Sequence, residues 1–211
     1  MKNLFFILFL IPFISFCQAD SEFVFKDSIS VDWGKNCISK MDCFFLNLDS
    51  TLLFNDEDIY EYYYTLYYLC ENGNKQTMAT GYWEDLGYNV TLYSFQSEKN
   101  KSYVVLWKFE FEYNPYFNAY YIHNGKILKI GEWGIAVPYT EYNCEYCDYS
   151  VEDIRIYQRD NEIEFSFLKN MNFIDTSVDI NNYDWISYKA GELVLSFNIL
   201  NESLKVIEKN K

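Results

Sequence analysis

The stretch SYVVLWKFEFEY, residues 102–113, decides the fold class of this chain. Its large apolar side chains recur at every second position, at Val105, Trp107, Phe109, Phe111 and Tyr113. Charged side chains alternate with the later members of this series, at Lys108, Glu110 and Glu112. Successive side chains of a β-strand point to opposite faces, so this two-residue period predicts a strand. We expect its apolar face to be buried and its charged face to contact solvent.

The same alternation appears in NEIEFSF, residues 161–167, and in ELVLSFNI, residues 192–199. Turn signals separate the apolar runs. Asn124-Gly125 is typical of a type I′ hairpin, because both central residues need a positive φ. Further turns are predicted at residues 70–74, 159–161 and 189–191, each of which joins two apolar runs. Together these patterns predict an all-β protein of antiparallel hairpins that form one sandwich or barrel domain over residues 20–211.

One tyrosine-rich segment has two interpretations. Residues 55–73, NDEDIYEYYYTLYYLCENG, offer Asn55 as a helix N-cap and Gly73 as a stop. The density of tyrosine favours a strand instead, because tyrosine suits a pleated and half-buried surface. We expect loops to dominate residues 34–42, 139–150 and 169–182.

The first nineteen residues, MKNLFFILFLIPFISFCQA, have the pattern of a secretory signal peptide. Lys2 precedes an apolar run, and Cys17 and Ala19 place small side chains at the positions that a signal peptidase reads. We therefore predict export to the periplasm or the extracellular space. Residues 14–17 also resemble a bacterial lipobox, in which Cys17 would carry a lipid anchor. Phe16 stands there where a small residue is usual, so we favour cleavage after Ala19. No later run predicts a membrane span.

The chain is strongly acidic, with 31 Asp and Glu against 17 Lys and Arg and a formal charge of −14. Removal of Lys2 with the leader leaves −15. Such a charge repels phosphate backbones and argues against a nucleic-acid partner. It favours a basic protein as the partner, although acidic side chains also keep an aromatic-rich surface soluble.

The sequence YNCEYCDY, residues 142–149, contains a C-x-x-C motif. An exported chain meets oxidising conditions, so we predict disulfides among Cys37, Cys43, Cys144 and Cys147. A zinc site of the same four residues and a redox pair at residues 144 and 147 are alternatives. Neighbouring acids raise thiol pKa values, which disfavours the redox pair.

Residues with catalytic chemistry are sparse. The chain has one histidine, His123, beside the Asn-Gly turn, and we expect it to be a solvated hairpin residue. Glu110 and Glu112 would lie roughly 7 Å apart on one strand face, a spacing that suits a carboxylate-dependent hydrolase and also a solvated surface. Asp179, Asn181 and Asp184 are weak calcium candidates that equally fit a turn.

These features predict a non-catalytic binding module without a cofactor, such as an inhibitor or immunity-type partner of a basic protein. Tyr63 and Tyr67, together with the Glu110 and Glu112 pair, are the weak candidates for its binding surface, because exposed tyrosine makes contact area at low entropic cost. The first alternative is an aromatic-lined barrel that binds a small molecule or a carbohydrate. The second is the carboxylate-dependent hydrolase.

Overall fold

The computed structural model describes residues 20–32, 38–41, 44–49, 63–69, 73–82, 89–97, 99–111, 114–137, 147–175 and 185–209. Most of these residues form strands, joined by turns and by one short 3-10 turn at Val151–Asp153. The strands are β1 (Ser21–Asp32), β2 (Ile38–Met41), β3 (Phe44–Asp49), β4 (Tyr63–Leu69), β5 (Lys75–Tyr82), β6 (Asn89–Ser97), β7 (Tyr103–Phe111), β8 (Asn114–His123), β9 (Lys126–Val137), β10 (Cys147–Asp148), β11 (Ile154–Arg159), β12 (Glu162–Phe167), β13 (Met171–Asp175), β14 (Ile186–Tyr188), β15 (Leu193–Asn198) and β16 (Ser203–Glu208). The predicted all-β class is confirmed.

The strands make two antiparallel sheets. The larger has the order β14-β13-β9-β8-β7-β6-β1-β11-β12-β15-β16, and β10 pairs with the end of β9. Every neighbouring pair along this path is antiparallel. The smaller sheet has the order β2-β3-β4-β5.

The larger sheet curls into a half-barrel around one apolar core. Strands from all along its path contribute to this core, which explains why the sheet is curved and not flat. Trp133 on β9 packs edge-on against Phe165 on β12, with ring centroids 5.4 Å apart. Other core side chains include Phe23, Val104, Leu106, Phe117, Ile135, Ile156, Ile163, Phe167, Phe173, Leu195 and Phe197. We call this the inner core.

A second apolar cluster lies between the smaller sheet and the outer surface of the larger one. Leu66 and Tyr68 on β4 supply its cover. Its base comes from four strands of the larger sheet, through Ile29, Val90, Leu92, Val105, Trp107, Phe109, Tyr120 and Ile122. We call this the outer core.

The position of β7 between the two cores corrects the prediction of a solvent-facing side. Trp107 belongs to the outer core and Leu106 to the inner core, so the strand is buried on both faces. Lys108, which we expected to face solvent, is only 6% exposed. The alternation identified the strand correctly, but a second layer covers the face that an isolated sheet would leave wet.

Three of the predicted turns are confirmed. Asn124 and Gly125 have φ values of 49° and 75°, which closes β8 onto β9 through a turn with two positive φ values. Gly73 has a φ of 81° where β4 meets β5, and Asp160 has a φ of 50° where β11 meets β12. Positive φ is the conformation that these turns require.

The hairpin expected at residues 189–191 is wrong. β14 pairs with β13, whereas β15 pairs with β12 and β16. The backbone N–H of Gly191 donates to the carbonyl of Phe167, 2.9 Å away, and this bond ties the connection to the end of β12. The chain therefore crosses from one edge of the sheet towards the other instead of folding back.

The tyrosine-rich segment forms strand β4 over Tyr63–Leu69, as the tyrosine content predicts. Its earlier part, residues 55–62, lies outside the described residues. The regions expected to be loops also contain short strands, since β2, β10 and β13 fall within them. β2 pairs with β3, and β10 and β13 pair with β9, so each is held by contacts with another strand that local propensity does not record.

Candidate functional site at the open seam of the curled sheet

The two ends of the larger sheet are strands β14 and β16. The backbone N–H of Lys209 donates to the carbonyl of Glu192, 2.8 Å away. The backbone hydrogen-bonding groups of Lys209 therefore point towards β15. Because this direction alternates along an antiparallel strand, the backbone groups of Leu204, Val206 and Glu208 point away from β15. In the described part of the chain, no strand pairs with that edge.

Apolar side chains on the inner side of both edge strands remain exposed. Val206 lies directly opposite Leu195, and Ile186 lies directly opposite Phe173; both partners belong to the inner core. Directly opposed residues of antiparallel strands share a face, so Val206 and Ile186 point inwards. They are nevertheless 38% and 48% exposed, respectively. The inner core is thus open to solvent between the two edges, and we call this opening the seam.

Two contacts bound the seam. Leu204 packs on Gly131 of β9 so closely that an added Cβ at residue 131 would lie 2.7 Å from Leu204 Cδ2. Only glycine allows this approach without movement of the leucine side chain. Two residues beyond Val206, the Tyr188 hydroxyl donates to Glu208 Oε1 across the seam, at 2.6 Å. The exposed Val206 therefore lies between two points at which β16 is held, one on β9 and one on the opposite edge strand β14.

Burial, followed by the hydrogen bond and the negative charge of Glu208, raises the pKa of Tyr188 to about 12. The phenol is therefore a neutral donor at neutral pH, and Glu208 is its anionic acceptor. This pair can bridge two edges, and its carboxylate can accept a donor from an incoming group. The Tyr188–Glu208 pair thus offers hydrogen bonds and a negative charge to a bound molecule.

Exposed apolar side chains concentrate near this edge. Among the described residues, seven large apolar side chains are exposed, and three of them lie in the last ten: Leu200, Val206 and Ile207. Leu200, in the turn that leads into β16, is 75% exposed. Concentrations of this kind mark interaction sites more often than scattered single residues do.

A buried polar cluster lies where the described chain enters β1. Ser21 and Ser97 join through their hydroxyls, and Ser102 donates to Asn100 Oδ1. Asn100 Nδ2 donates to Gln158 Oε1 at 2.9 Å. Burial raises the pKa of Tyr121, the neighbouring phenol, although hydrogen bonds to Ser102 and Gln158 oppose that shift. These bonds join hydroxyls and amides of β1, β11 and the β6–β7 turn, so the cluster fastens β1 in place.

His123 differs from the solvated residue that we expected. Its ring stacks on Tyr121, with centroids 6.2 Å apart and planes at 11°. Nε2 lies 2.9 Å from Asn124 Nδ2, and Nδ1 is buried without a partner among the described residues. The histidine is half-buried because it is still part of β8, two residues after Tyr121 and on the same face of the strand.

Of the predicted binding residues, Tyr67 is the one whose side chain the structure describes. It is half-buried, on the opposite face of β4 from Leu66 and Tyr68, and Lys75 Nζ lies 5.5 Å from its ring centroid. The side chains of Tyr63 in β4 and Glu110 in β7 lie outside the described residues, as does all of Glu112.

The predicted cysteine and calcium sites are untested. Cys147 lies in β10 opposite Val137, but its side chain is outside the described residues, as are Cys37, Cys43 and Cys144. The calcium candidates Asp179, Asn181 and Asp184, the predicted signal peptide and the lipobox also lie outside the described residues.

Within the described ranges, no three His, Cys, Asp or Glu residues come together as metal ligands. Those ranges also contain no helix with the length and apolarity needed to cross a membrane.

The acidity of the chain is unevenly distributed. The described residues include 17 acids and 14 bases, which amounts to a formal charge of −3. The segments outside them hold the other 14 acids and only 3 bases. The described sheets are thus close to neutral, and most of the net negative charge belongs to the segments that connect them, between residues 42 and 184.

Comparison with protein-family models, with characterised proteins and with solved structures gives no match to this chain.

The sequence analysis did not predict the seam. The alternation of Leu204 and Val206 with Lys205 and Ile207 is a strand signal, but nothing in it tells that β16 is an edge. Edge position depends on how the whole sheet is ordered.

Proposed function

We propose that the protein is an exported, non-catalytic module that binds another protein, and that the seam is the part of the described structure that makes the contact. One observation carries this proposal: Val206 and Ile186 point towards the inner core and are exposed beside the outer edge of β16, with which no strand of the described ranges pairs. An apolar opening that lies next to the edge of a sheet suits a polypeptide, which can supply both apolar contacts and backbone hydrogen bonds.

The charge supports a basic partner. The full chain has a formal charge of −14, and the acids concentrate in segments that join the described strands. A field of this sign accelerates the approach of a basic protein and repels an acidic one. Export rests on the leader pattern of residues 1–19, and it places the partner in the periplasm or outside the cell.

The alternative of a small-molecule or carbohydrate ligand inside an aromatic-lined barrel receives less support. Trp133, Phe117, Phe165, Phe167 and Phe197 are all fully buried in the inner core. Side chains therefore fill the space that the described strands enclose. The outward face of β4, with Tyr67 beside Lys75, is the surface on which a sugar ring could still stack. A hydrolase based on Glu110 and Glu112 has no described side chain to support it.

Site-specific photo-cross-linking tests the proposal. A photo-reactive amino acid replaces Val206 in one variant and Val24 in another, since Val24 is similarly exposed but lies on β1, far along the sheet from the seam. Both variants are irradiated in the exported fraction of cells that make the protein. We expect a discrete protein adduct from residue 206 alone, and its yield should fall as salt rises. Equal adducts from both positions, or none from residue 206, would contradict the proposal.

A further inference from the structure

Three short segments of the chain have the sequence Asn-x-Ser/Thr in which x is not proline: residues 89–91 (NVT), 100–102 (NKS) and 201–203 (NES). This is the acceptor sequence for N-linked glycosylation in a eukaryotic secretory pathway. The attached oligosaccharide is bulky and polar, so it has to lie in solvent once the chain has folded. The surroundings of each asparagine therefore decide which segment can carry one.

Asn201 lies in the turn between β15 and β16, and its side chain is exposed. Asn198 orders this turn, because its Oδ1 accepts the backbone N–H groups of Leu200 and Asn201 at 3.0 and 3.1 Å. Within the acceptor sequence, the Ser203 hydroxyl donates to Asn201 Oδ1 at 2.6 Å. The amide oxygen of Asn201 is thus turned towards Ser203, and its Nδ2 makes no hydrogen bond to any of the described residues.

Asn100 is placed differently, in the polar cluster that fastens β1. Its side chain is half-buried, and its Nδ2 donates to Gln158 Oε1 at 2.9 Å. Its Oδ1 accepts from the hydroxyl of Ser102, which is fully buried. A sugar replaces one hydrogen of Nδ2, so a glycan at Asn100 would compete with Gln158 for the space beside this nitrogen. The side chain of Asn89 lies outside the described residues.

We propose that Asn201 carries an N-linked oligosaccharide in the mature protein and that Asn100 does not. The inference rests on the export in the proposed function and adds that export runs through a eukaryotic secretory pathway. In the transfer, Asn201 Nδ2 bonds to the anomeric carbon of an oligosaccharide that is held on a lipid pyrophosphate. The bond from that carbon to the pyrophosphate oxygen breaks, the lipid pyrophosphate leaves with the electron pair, and one amide proton passes to a base of the transferase.

The glycan also accounts for the most exposed large apolar side chain among the described residues. Leu200, the residue before Asn201, is 75% exposed, whereas the other six in this class are 38–48% exposed. An exposed leucine is unfavourable in water. The ring faces of a sugar are apolar, and attachment at the next residue brings them within reach of Leu200. Leu200 is then covered by sugar, and the surface left for a protein partner is the seam at Val206.

Peptide mapping of the native protein tests this inference. The protein is purified from a whole culture of cells that make it, and is treated with a peptide N-glycosidase in heavy-oxygen water. The enzyme converts each glycosylated asparagine to an aspartate that carries heavy oxygen, and it leaves an unmodified asparagine unchanged. We expect the label at residue 201 and unlabelled asparagine at residue 100. Unlabelled asparagine at residue 201 would overturn the inference, and so would a label at residue 100.

Two variants at Ser203 connect the label to the acceptor sequence without changing Asn201. S203A removes the hydroxyl that the transferase requires, whereas S203T keeps a hydroxyl at the same position. We expect S203A to lose both the label at residue 201 and the mass of the glycan, and S203T to retain both. A label that persists in S203A, or one that is lost from S203T, would contradict the proposed modification.

The same peptide map separates failure of this inference from failure of the proposed function. An N-terminal peptide that begins at Asp20 or at Cys17 shows that the leader has been removed. Unlabelled asparagine at residue 201 in that material overturns the glycan alone and leaves export standing. A chain that retains residues 1–19 has not been exported, and the proposed function then falls together with the glycan.

Discussion

Replacement of Tyr149 by phenylalanine tests how the buried phenols couple folding to pH. Tyr149 is 2% exposed, and its hydroxyl accepts a hydrogen bond from the backbone N–H of Lys169 at 2.9 Å. The same hydroxyl lies 3.3 Å from the carbonyl of Lys169 and 3.4 Å from that of Asp153. It thereby joins the start of β11 to the turn after β12.

At neutral pH the Y149F variant should be less stable than the wild type. The substitution keeps the ring but leaves a buried N–H and two carbonyls without their hydroxyl partner. The expected loss in the free energy of unfolding is about 1–3 kcal/mol. Unfolding in urea, followed by tryptophan fluorescence, measures this difference.

The difference should shrink at high pH. The pKa of Tyr149 is raised to about 12, chiefly by burial; the charge of Asp153 adds to this shift, and bonds to the backbone of Lys169 and Leu168 oppose it. The unfolded phenol titrates near 10. The raised pKa contributes stability that is fully present below pH 10 and is lost as pH rises through 12. That loss is at most about 3 kcal/mol in the wild type and is absent from Y149F.

The assay is urea unfolding of both proteins from about pH 8 to about pH 12. The contributions of Tyr121 and Tyr188, whose pKa values are also raised, are common to both proteins and cancel in the difference. The I163V variant is a matched control, because it should cost about 0.5–1.5 kcal/mol without touching a phenol. A gap between wild type and Y149F that stays constant across this range would refute the reasoning.

Three further substitutions test other parts of the structure. F165A removes a fully buried ring that packs against Trp133, and we expect a loss of about 3–5 kcal/mol in urea unfolding; a loss under about 1 kcal/mol would mean that the inner core is not packed as described. G125A should cost about 1 kcal/mol by the same assay. The φ of Gly125 is 75° and no atom lies within 4 Å of the added methyl, so backbone strain is the sole cause of this loss. An unchanged stability would contradict the type I′ turn. S196A should raise the pKa of Glu162, because hydrogen bonds from Ser196 and then Asn198 hold that pKa below its usual value. The stability that this carboxylate contributes is present above the usual glutamate pKa and is lost as pH falls. The S196A variant should therefore lose less stability on acidification than the wild type. An NMR titration in which the pKa of Glu162 is the same in both proteins would exclude the proposed hydrogen bond.

The fold class was predictable because its signals are local. The alternation at Val105, Trp107 and Phe109 reports a strand within a few residues, and the Asn124-Gly125 pair reports a turn within two. These signals need no knowledge of distant neighbours, since side-chain period and positive φ are properties of a short peptide. For the same reason the tyrosine-rich β4 was identified without its partners.

The candidate site was not predictable, because each of its features depends on contacts between distant residues. The chain brings β1 between β6 and β11, and this pairing decides the order of the sheet. That order in turn makes β14 and β16 the edges and leaves Val206 exposed. The hairpin expected at residues 189–191 failed for the same reason: a turn forms there, with the Glu192 N–H donating to the Lys189 carbonyl, but the strands on its two sides pair elsewhere.

The sequence by itself determined that this chain forms strands and where several of them turn, because backbone preference and side-chain period act over a few residues. Only the tertiary structure decided that Lys108 is buried, that His123 stacks on Tyr121 and that the curled sheet has an opening between two parallel edges. Burial and closure are properties of the assembled layers, and a strand's pattern carries no record of which surfaces will cover it.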